Sequence, residues 1–304
     1  MPIEWIPITS EQQWLALRAD DITASKMGAV FGLDPFTSRL EYWNHLRGVL
    51  PLAEPNEDIA ARGRWFEPAV HRAISEKYPD WTFEKGTVYL RDAEAGIGAT
   101  PDYFIATPER KRGILECKTV APLAWERNWD DGVPLYVSLQ LATCMMLDES
   151  DFGIVAALVI DPYKPRLIDF PLDERHAKTE ERIRSGAAAF WRDVKAGTEP
   201  TPDFARDLDL IKRLVPRERA ESVLDLRADN RLPTLCATVL DASQEISKQQ
   251  KRKDEAEAEI RAMAGDNEIT LAHDYVIKLR TVHRKAYSVA ETSYRPLKIK
   301  PGNL

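Results

Sequence analysis

The sequence predicts an α/β protein with a central mixed β-sheet flanked by helices, extended at the C-terminus by a long helix and a β-hairpin. Three observations predict this fold. The first part of the chain reads mainly as helices, β-rich runs then alternate with helical ones, and a proline-containing segment precedes a long polar helix.

Helix signals dominate the first part of the chain. Ser10 and Ser38 are suitable N-cap residues, while Gly32 and Pro35 interrupt the periodic stretches. Pro68 lies inside the last of these stretches, where it either bends the helix or occupies a first turn. The helices are predicted at residues 11–18, 23–31, 38–48 and 57–78.

β-Rich runs follow at residues 87–91, 98–106, 113–120, 152–160 and 166–170. A helix over Leu135–Leu147 falls between two of them, which is the strand, helix, strand order of a mixed sheet. Asp173–Ala196 is predicted to be a long amphipathic helix that ends at Gly197.

The segment Glu199–Asp203, with two prolines, predicts a boundary between a domain of residues 1–200 and an extension of residues 201–304. The extension reads as a short helix near residues 208–214, a long helix over 233–263 and a strand pair within 268–282. We expect an accessory or oligomerisation role, although its strands could instead complete the main sheet.

Composition excludes several classes of protein. The three cysteines, Cys117, Cys144 and Cys236, are too few for a four-thiolate metal site or a disulfide framework. The longest uncharged apolar stretch, residues 152–160, is far shorter than the roughly 20 residues of a membrane-spanning helix. We therefore expect a cytoplasmic protein whose metal, if any, is held by oxygen.

The net charge of -7 is unevenly distributed. Residues 1–200 contain 23 Lys and Arg against 32 Asp and Glu, whereas residues 201–304 contain 19 against 17. Any binding of nucleic acid must therefore use local positive patches and bridging metal ions.

The chemically informative stretch is Gly98-Ala-Thr-Pro-Asp102, followed by Glu116-Cys117-Lys118 in an apolar strand. The period of two along a strand puts Glu116 and Lys118 on one face and Cys117 on the other. Two carboxylates and an ammonium suit Mg²⁺-dependent phosphodiester hydrolysis. A buried ion pair between Glu116 and Lys118 is the structural alternative.

These residues resemble the signature of the PD-(D/E)xK nucleases, and further motifs resemble the branch containing the YqaJ and lambda-type exonucleases. The motifs are Arg18 with Ser25 in Asp21-Ile-Thr-Ala-Ser-Lys-Met-Gly-Ala29, then Arg62-Gly-Arg-Trp-Phe-Glu67-Pro, and Gln140. The resemblance covers residues 18 to about 160 and implies a restriction-endonuclease-like core.

The resemblance implies that Asp102, Glu116 and the backbone carbonyl of Cys117 bind Mg²⁺, with Mn²⁺ as a substitute. Lys118 is expected to position or activate the attacking water. Glu67 is expected to complete the acidic cluster, or to help hold a second ion, and Gln140 to hydrogen-bond near the scissile phosphate.

The same resemblance places a terminal 5′-phosphate against Arg18, Ser25 and Thr100. Each has an ordinary alternative, as a helix-end residue, a helix cap and a strand residue respectively. Arg62 and Arg64 are weaker candidates for phosphate contacts. Trp125 and Trp129 could stack on bases or pack in the core.

The expected activity is that of a 5′-to-3′ exonuclease on double-stranded DNA ends, leaving 3′ single-stranded tails for homologous recombination. The resemblance also implies a ring-shaped homo-oligomer, with three subunits, a single-strand annealing recombinase as partner, and a phage-like origin in a bacterial host. An endonuclease or repair nuclease, or an inactive DNA-binding subunit, are the alternatives.

Overall fold

The computed structural model describes residues 2–51, 57–172, 174–286, 288, 291 and 294–299. The chain divides into two compact units, Met1–Leu214 and Val215–Leu304. The short helix near residue 210 belongs to the first unit, because Leu210 is buried in its core. The structural division therefore falls after Leu214, later than the boundary expected from the sequence.

The main sheet of the first unit has five strands in the order β3-β6-β7-β8-β9. β7 and β8 are parallel and every other neighbouring pair is antiparallel, so the sheet is mixed. Its strands are β3 (Thr82–Lys85), β6 (Tyr103–Ala106), β7 (Arg112–Val120), β8 (Phe152–Val159) and β9 (Arg166–Leu172).

A second sheet of four strands has the order β1-β4-β5-β2. Its strands are β1 (Glu4–Pro7), β2 (Ile22–Thr23), β4 (Val88–Asp92) and β5 (Ile97–Ala99). The sequence predicts one continuous strand over residues 98–106, and this prediction is wrong. The chain leaves the second sheet after Ala99 and enters the main sheet at Tyr103, and Pro101, which has no N–H to give to a ladder, lies between them.

Helices cover both faces of the main sheet. On one face, α4 contributes Val70 and Ile74 to a core with Leu115 and Ala156. On the other face, α6 and α7 pack in the larger core. The helices are α1 (Glu11–Ala19), α2 (Met27–Val30), α3 (Arg39–Leu46), α4 (Glu57–Lys77), α5 (Pro122–Asn128), α6 (Leu135–Asp148), α7 (Ala177–Ala196) and α8 (Leu208–Leu214).

Local sequence explains most of these helix ends. The Ser10 and Ser38 side chains accept hydrogen bonds from the N–H groups of Gln13 and Glu41, as expected of N-caps. Gly197 ends α7 in the left-handed conformation. The helix predicted over residues 23–31 is shorter than expected, because residues 22–23 pair as β2 and a single 3₁₀ turn precedes α2.

The second unit contains the long helix α9 (Leu232–Ala264) and the hairpin of β10 (Ile269–Ala272) and β11 (Tyr275–Lys278). The two hairpin strands pair with each other in an antiparallel sheet of their own. Across the described residues, no helix is both long and apolar enough to cross a membrane.

Candidate active site

Asp102 lies where the chain passes from the second sheet to the main sheet, and its carboxylate is fixed against β7. The Cys117 N–H donates to its Oδ2 at 2.8 Å. Its backbone carbonyl accepts from the Gly86 N–H at 2.9 Å. A Cβ on Gly86 would come within 1.9 Å of the Pro101 oxygen, so this close backbone approach requires glycine.

Glu116 lies beside it on β7 and is only 2% exposed. Its Oε1 accepts from Lys118 Nζ at 2.6 Å and from Gln140 Nε2 at 2.7 Å. Lys118 also donates to Gln140 Oε1 at 3.1 Å, so the three side chains form a closed triangle. The second oxygen of Glu116, Oε2, is buried and has no hydrogen-bond partner among the described residues.

Strand and helix geometry explains how these groups meet. Glu116 and Lys118 share the face of β7 that Gln140 of α6 covers, whereas Cys117 packs against the core on the opposite face. The predicted alternation along residues 116–118 is therefore confirmed. Lys118 is 27% exposed, so solvent reaches the edge of the cluster.

The cluster carries more negative than positive charge. Burial, and then the neighbouring Glu116 carboxylate, raise the pKa of Asp102 to about 8, and Lys118 offsets this only in part. Burial alone would lower the pKa of Lys118, but Glu116 and Asp102 raise it above its ordinary value. Lys118 therefore stays an ammonium, and the two carboxylates still repel each other.

These residues fit a small divalent cation of the Mg²⁺ type. The free Oε2 of Glu116 offers a ligand oxygen, and a cation would relieve the repulsion that raises the pKa of Asp102. The parts of the chain that the structure describes hold no group of three or more His, Cys, Asp or Glu side chains arranged around a metal position. Mg²⁺ needs only one or two carboxylates, because it keeps several of its waters.

Glu67, expected as the third acid, is held differently. It lies on α4 and forms an ion pair with Lys85 at the end of β3. Lys85 pairs in register with Tyr103, and its ammonium lies 4.9 Å from the centre of that ring. The negative charge of Glu67 makes a smaller contribution to the raised pKa of Asp102, so it lies near the cluster without joining a three-acid group.

The weaker candidates divide between surface and core. Arg64 is exposed, while Arg62 is partly buried and its Nε has no hydrogen-bond partner within the described ranges. Trp125 and Trp129 are both buried and stack on each other with ring centroids 5.9 Å apart. The core interpretation of the two tryptophans is therefore the one that the structure supports.

The three residues expected to bind a terminal phosphate are linked by contacts. Arg18 Nη2 donates to Ser25 Oγ at 3.3 Å, and the Ser25 and Thr23 hydroxyls are 3.2 Å apart. Trp14 Nε1 donates to Thr100 Oγ1 at 3.0 Å, and the Arg18 guanidinium lies 4.5 Å from the Trp14 ring centre. Trp14 thus joins Arg18 to Thr100, which precedes Asp102 by two residues.

Arg18 is a cation that has no acidic partner in the part of the chain that the structure describes. Within the described residues, no carboxylate lies within 4.0 Å of its guanidinium nitrogens. Burial lowers its pKa, and the nearby Tyr89 and Tyr42 only partly offset this effect. A partly buried guanidinium beside two hydroxyls is a favourable site for an anion such as phosphate.

Sequence reasoning missed Trp14 and Lys85. Trp14 lies one helical turn before Arg18, a spacing at which side chains on a helix meet, so a signal was available. The contact of Lys85 with Glu67 depends on the register of β3 against β6, which no local pattern gives.

Two acids and a lysine converge beside the parallel strands of the mixed sheet. The chain has the fold of the lambda-exonuclease-like nucleases. A crystal structure of an alkaline exonuclease, LHK-Exo, from Laribacter hongkongensis has a TM-score of 0.51 to this chain. It is 20% identical and covers 61% of this chain and 93% of its own. A second structure, LHK-Exo in complex with dAMP, is 18% identical with a TM-score of 0.49 and covers 66% and 96%.

Residues 13–150 match the model of the YqaJ-like viral recombinase domain. The uncharacterized protein YqaJ of Bacillus subtilis (strain 168) is 24% identical over 274 residues, which is 88% of this chain and 82% of the relative. All the site residues named above lie within the matched range.

Proposed function

We propose that the protein is a Mg²⁺-dependent 5′-to-3′ exonuclease that degrades one strand at double-stranded DNA ends and leaves 3′ single-stranded tails. The observation that carries the proposal is the acid, lysine and glutamine cluster around Glu116. It is joined through Thr100-Pro101-Asp102 to the partly buried guanidinium of Arg18, which has no acidic partner among the described residues. The match of residues 13–150 to the YqaJ-like viral recombinase domain supports a role in recombination.

Asp102, Glu116 and the Cys117 carbonyl are the groups that would hold the cation. When bound, Mg²⁺ activates water and stabilises charge on the phosphate. Mn²⁺, with the same preference for oxygen ligands, would occupy the same groups. If the Glu67 carboxylate released Lys85, it would be free to help hold a second ion or to orient the attacking water.

Lys118 acts in this proposal as a donor rather than as a base. Its amine stays protonated because Glu116 and Asp102 outweigh the effect of burial on its pKa. A charged ammonium can orient the attacking water and offset the charge that grows on the phosphate. Gln140 holds both Glu116 and Lys118, so it keeps the donor and the metal-binding carboxylate at a fixed separation.

The polarity of digestion rests on the Arg18 site. Its guanidinium, with the hydroxyls of Ser25 and Thr100, would bind the 5′-terminal phosphate, and the short connection from Thr100 to Asp102 would set the next phosphodiester near the cation. Arg62 and Arg64 would contact phosphates of the duplex. By the same family resemblance, we propose a ring-shaped trimer and a single-strand annealing recombinase as partner.

The test compares three substrates in Mg²⁺ and in excess chelator: linear duplex with 5′-phosphate ends, the same duplex with 5′-hydroxyl ends, and a closed circle. We expect rapid digestion of phosphorylated ends, slower digestion of hydroxyl ends, intact circles, and no cleavage without the metal. Nicked or linearised circles would instead indicate an endonuclease.

Variants separate catalysis from binding. Asp102→Ala and Lys118→Ala should lose cleavage while still binding duplex DNA. The matched exposed variants Asp274→Ala and Lys278→Ala on the hairpin should keep full activity. DNA binding without cleavage by the unmodified protein would contradict the nuclease proposal and leave the inactive binding subunit.

A further inference from the structure

The long helix α9 exposes a regular row of apolar side chains. Apolar residues along it are 38% to 80% exposed, including Leu232, Leu235, Val239, Ile246, Ile260 and Met263. Scattered exposed apolar residues are ordinary, but these recur at a fixed spacing. A helix of 33 residues is about 50 Å long, so the row is extensive.

The spacing of the row is a heptad repeat. With Leu232 as the first a position, the a positions are Leu232, Val239, Ile246, Lys253 and Ile260. The corresponding d positions are Leu235, Ala242, Gln249, Ala256 and Met263. Eight of these ten residues are Leu, Val, Ile, Met or Ala, and the two polar residues are Gln249 and Lys253. A repeat of 3.5 residues sustained over four heptads is the pattern of a two-helix coiled coil.

The repeat is self-complementary when two copies of α9 run antiparallel. In the register that overlaps the whole helix, each a residue faces a d residue of the second copy. The layers are Leu232 with Met263, Leu235 with Ile260, Val239 with Ala256, Ala242 with Lys253, and Ile246 with Gln249, each occurring twice. Lys253 then lies opposite the small Ala242, where its stem can cover apolar surface and its ammonium can reach water.

Charges beside the row favour the same orientation. In the antiparallel register the g positions place Glu245 against Arg252 of the second copy, twice, with no like-charge pair. In a parallel pair, Lys253 would face Lys253, with Arg252 alongside on both chains. Within one chain, Glu245 pairs with Lys248 and Arg252 donates to Gln249, both at exposed sites where such contacts exchange readily.

We propose that α9 is a dimerisation element that pairs antiparallel with α9 of a second copy of this chain, centred between Ser247 and Lys248. The pairing goes beyond the nuclease activity and does not depend on it. The occupant is a second copy because one sequence supplies both halves of every layer and both partners of the Glu245–Arg252 pair.

Disulfide cross-linking of the full-length chain tests the register. In a Cys236→Ser background, Leu235→Cys and Ile260→Cys are made as separate, differently tagged proteins and oxidised alone or mixed. We expect a cross-linked heterodimer in the mixture at least ten times faster than a homodimer of either variant alone. Faster linking of Leu235→Cys to itself would show a parallel pair and overturn the proposal, as would the absence of linking in the mixture.

The mass of the assembly in solution provides an independent test. Ile246→Lys should halve the mass measured by light scattering, whereas Gln244→Lys, at the outward f position, should not change it. Equal masses for the two variants would contradict the proposal. Digestion of DNA ends by Ile246→Lys reports on the nuclease separately, so failure of one proposal is distinguishable from failure of the other.

Discussion

The indole Nε1 of Trp14 donates a hydrogen bond of 3.0 Å to the Thr100 hydroxyl, 86 residues further along the chain. The same indole ring lies under the Arg18 guanidinium. One side chain therefore sets the distance between the cation of the proposed phosphate site and a hydroxyl two residues from Asp102. Loss of this contact should reduce the preference for 5′-phosphate ends more than it reduces the rate of cleavage.

Trp14→Phe keeps a ring under Arg18 and removes the donor to Thr100. We expect the preference for 5′-phosphate over 5′-hydroxyl ends to fall about 5-fold, corresponding to a hydrogen bond of about 1 kcal/mol. The measurement is the ratio of kcat/KM on the two kinds of duplex end. Trp5→Phe, which keeps the stacking on Phe104, is the control and should preserve the ratio. An unchanged ratio in Trp14→Phe would show that Trp14 does not position the pocket.

Asp102→Asn should abolish cleavage yet stabilise the fold. Burial and the adjacent Glu116 disfavour the ionised form, as the raised pKa of Asp102 shows, and asparagine keeps an oxygen for the Cys117 N–H. We expect the free energy of unfolding at pH 7.5 without metal to rise by about 1–3 kcal/mol.

Urea denaturation of both proteins checks this expectation, with the exposed substitution Asp274→Asn as control. Mg²⁺ should then stabilise the unmodified protein and not Asp102→Asn, because only the former retains the binding site. If Asp102→Asn is less stable than the unmodified protein in chelator, the Asp102 carboxyl does not destabilise the fold and the prediction is wrong.

The sequence predicts the long, periodic elements well and the short ones poorly. α4, α6, α7 and α9, with β7 and β8, lie close to the predicted ranges because each carries a continuous pattern. β2 and β5 have two and three residues and exist because they pair with each other, which no local pattern reveals. The transfer of the chain between two sheets at Pro101 is likewise a tertiary event.

Local geometry was sufficient to predict part of the arrangement of the candidate site. The alternation along β7 places Glu116 and Lys118 together, and the helix that follows brings Gln140 to them. The ion pair of Glu67 with Lys85 joins a helix to the end of a strand, so coordinates were needed to find it. Trp14 is intermediate, because its helical spacing to Arg18 is visible in the sequence but its bond to Thr100 is not.

Gly86→Ala should damage the site through the backbone. The added Cβ would meet the Pro101 oxygen at 1.9 Å, so the strand end that carries Asp102 must move. We expect a loss of about 1–3 kcal/mol in stability and a larger proportional loss in kcat than in DNA binding. Thermal unfolding and single-turnover cleavage measure the two effects.

Gly63→Ala, where nothing lies within 4 Å, should be neutral or stabilising in its helix. Full activity in Gly86→Ala would mean that Asp102 does not need this close approach.

Asp148 gives the fold a pH dependence that is unrelated to the site. Its side chain is 1% exposed at the end of α6, where Oδ1 accepts from Arg112 at 2.8 Å. Burial raises its pKa to about 6, and the Arg112 guanidinium, followed by the Ser150 hydroxyl, offsets the effect only in part. In the unfolded chain this group ionises near its ordinary pKa of 3.8, so the native state binds an extra proton between pH 4 and 6. Ionisation of Asp148 therefore lowers the free energy of unfolding progressively as the pH rises from 4 to 6. Above pH 6 the reduction stays constant.

Asp148→Asn keeps an acceptor for Arg112 and cannot ionise. Arg112 is 56% exposed, so its charge stays solvated when the carboxylate is replaced. The stability of the variant relative to the unmodified protein should rise by about 2–3 kcal/mol between pH 4 and pH 6 and then level off, as a shift of about two pKa units requires. Urea midpoints at pH 4.0, 5.0, 6.0 and 7.5 measure the difference in stability between the two proteins across the titration of Asp148. Asp151→Asn, whose carboxylate bonds the Arg112 backbone at the exposed end of the same strand, is the control. Parallel stability profiles for Asp148→Asn and the unmodified protein would show that Asp148 ionises in the folded state as it does in the unfolded chain.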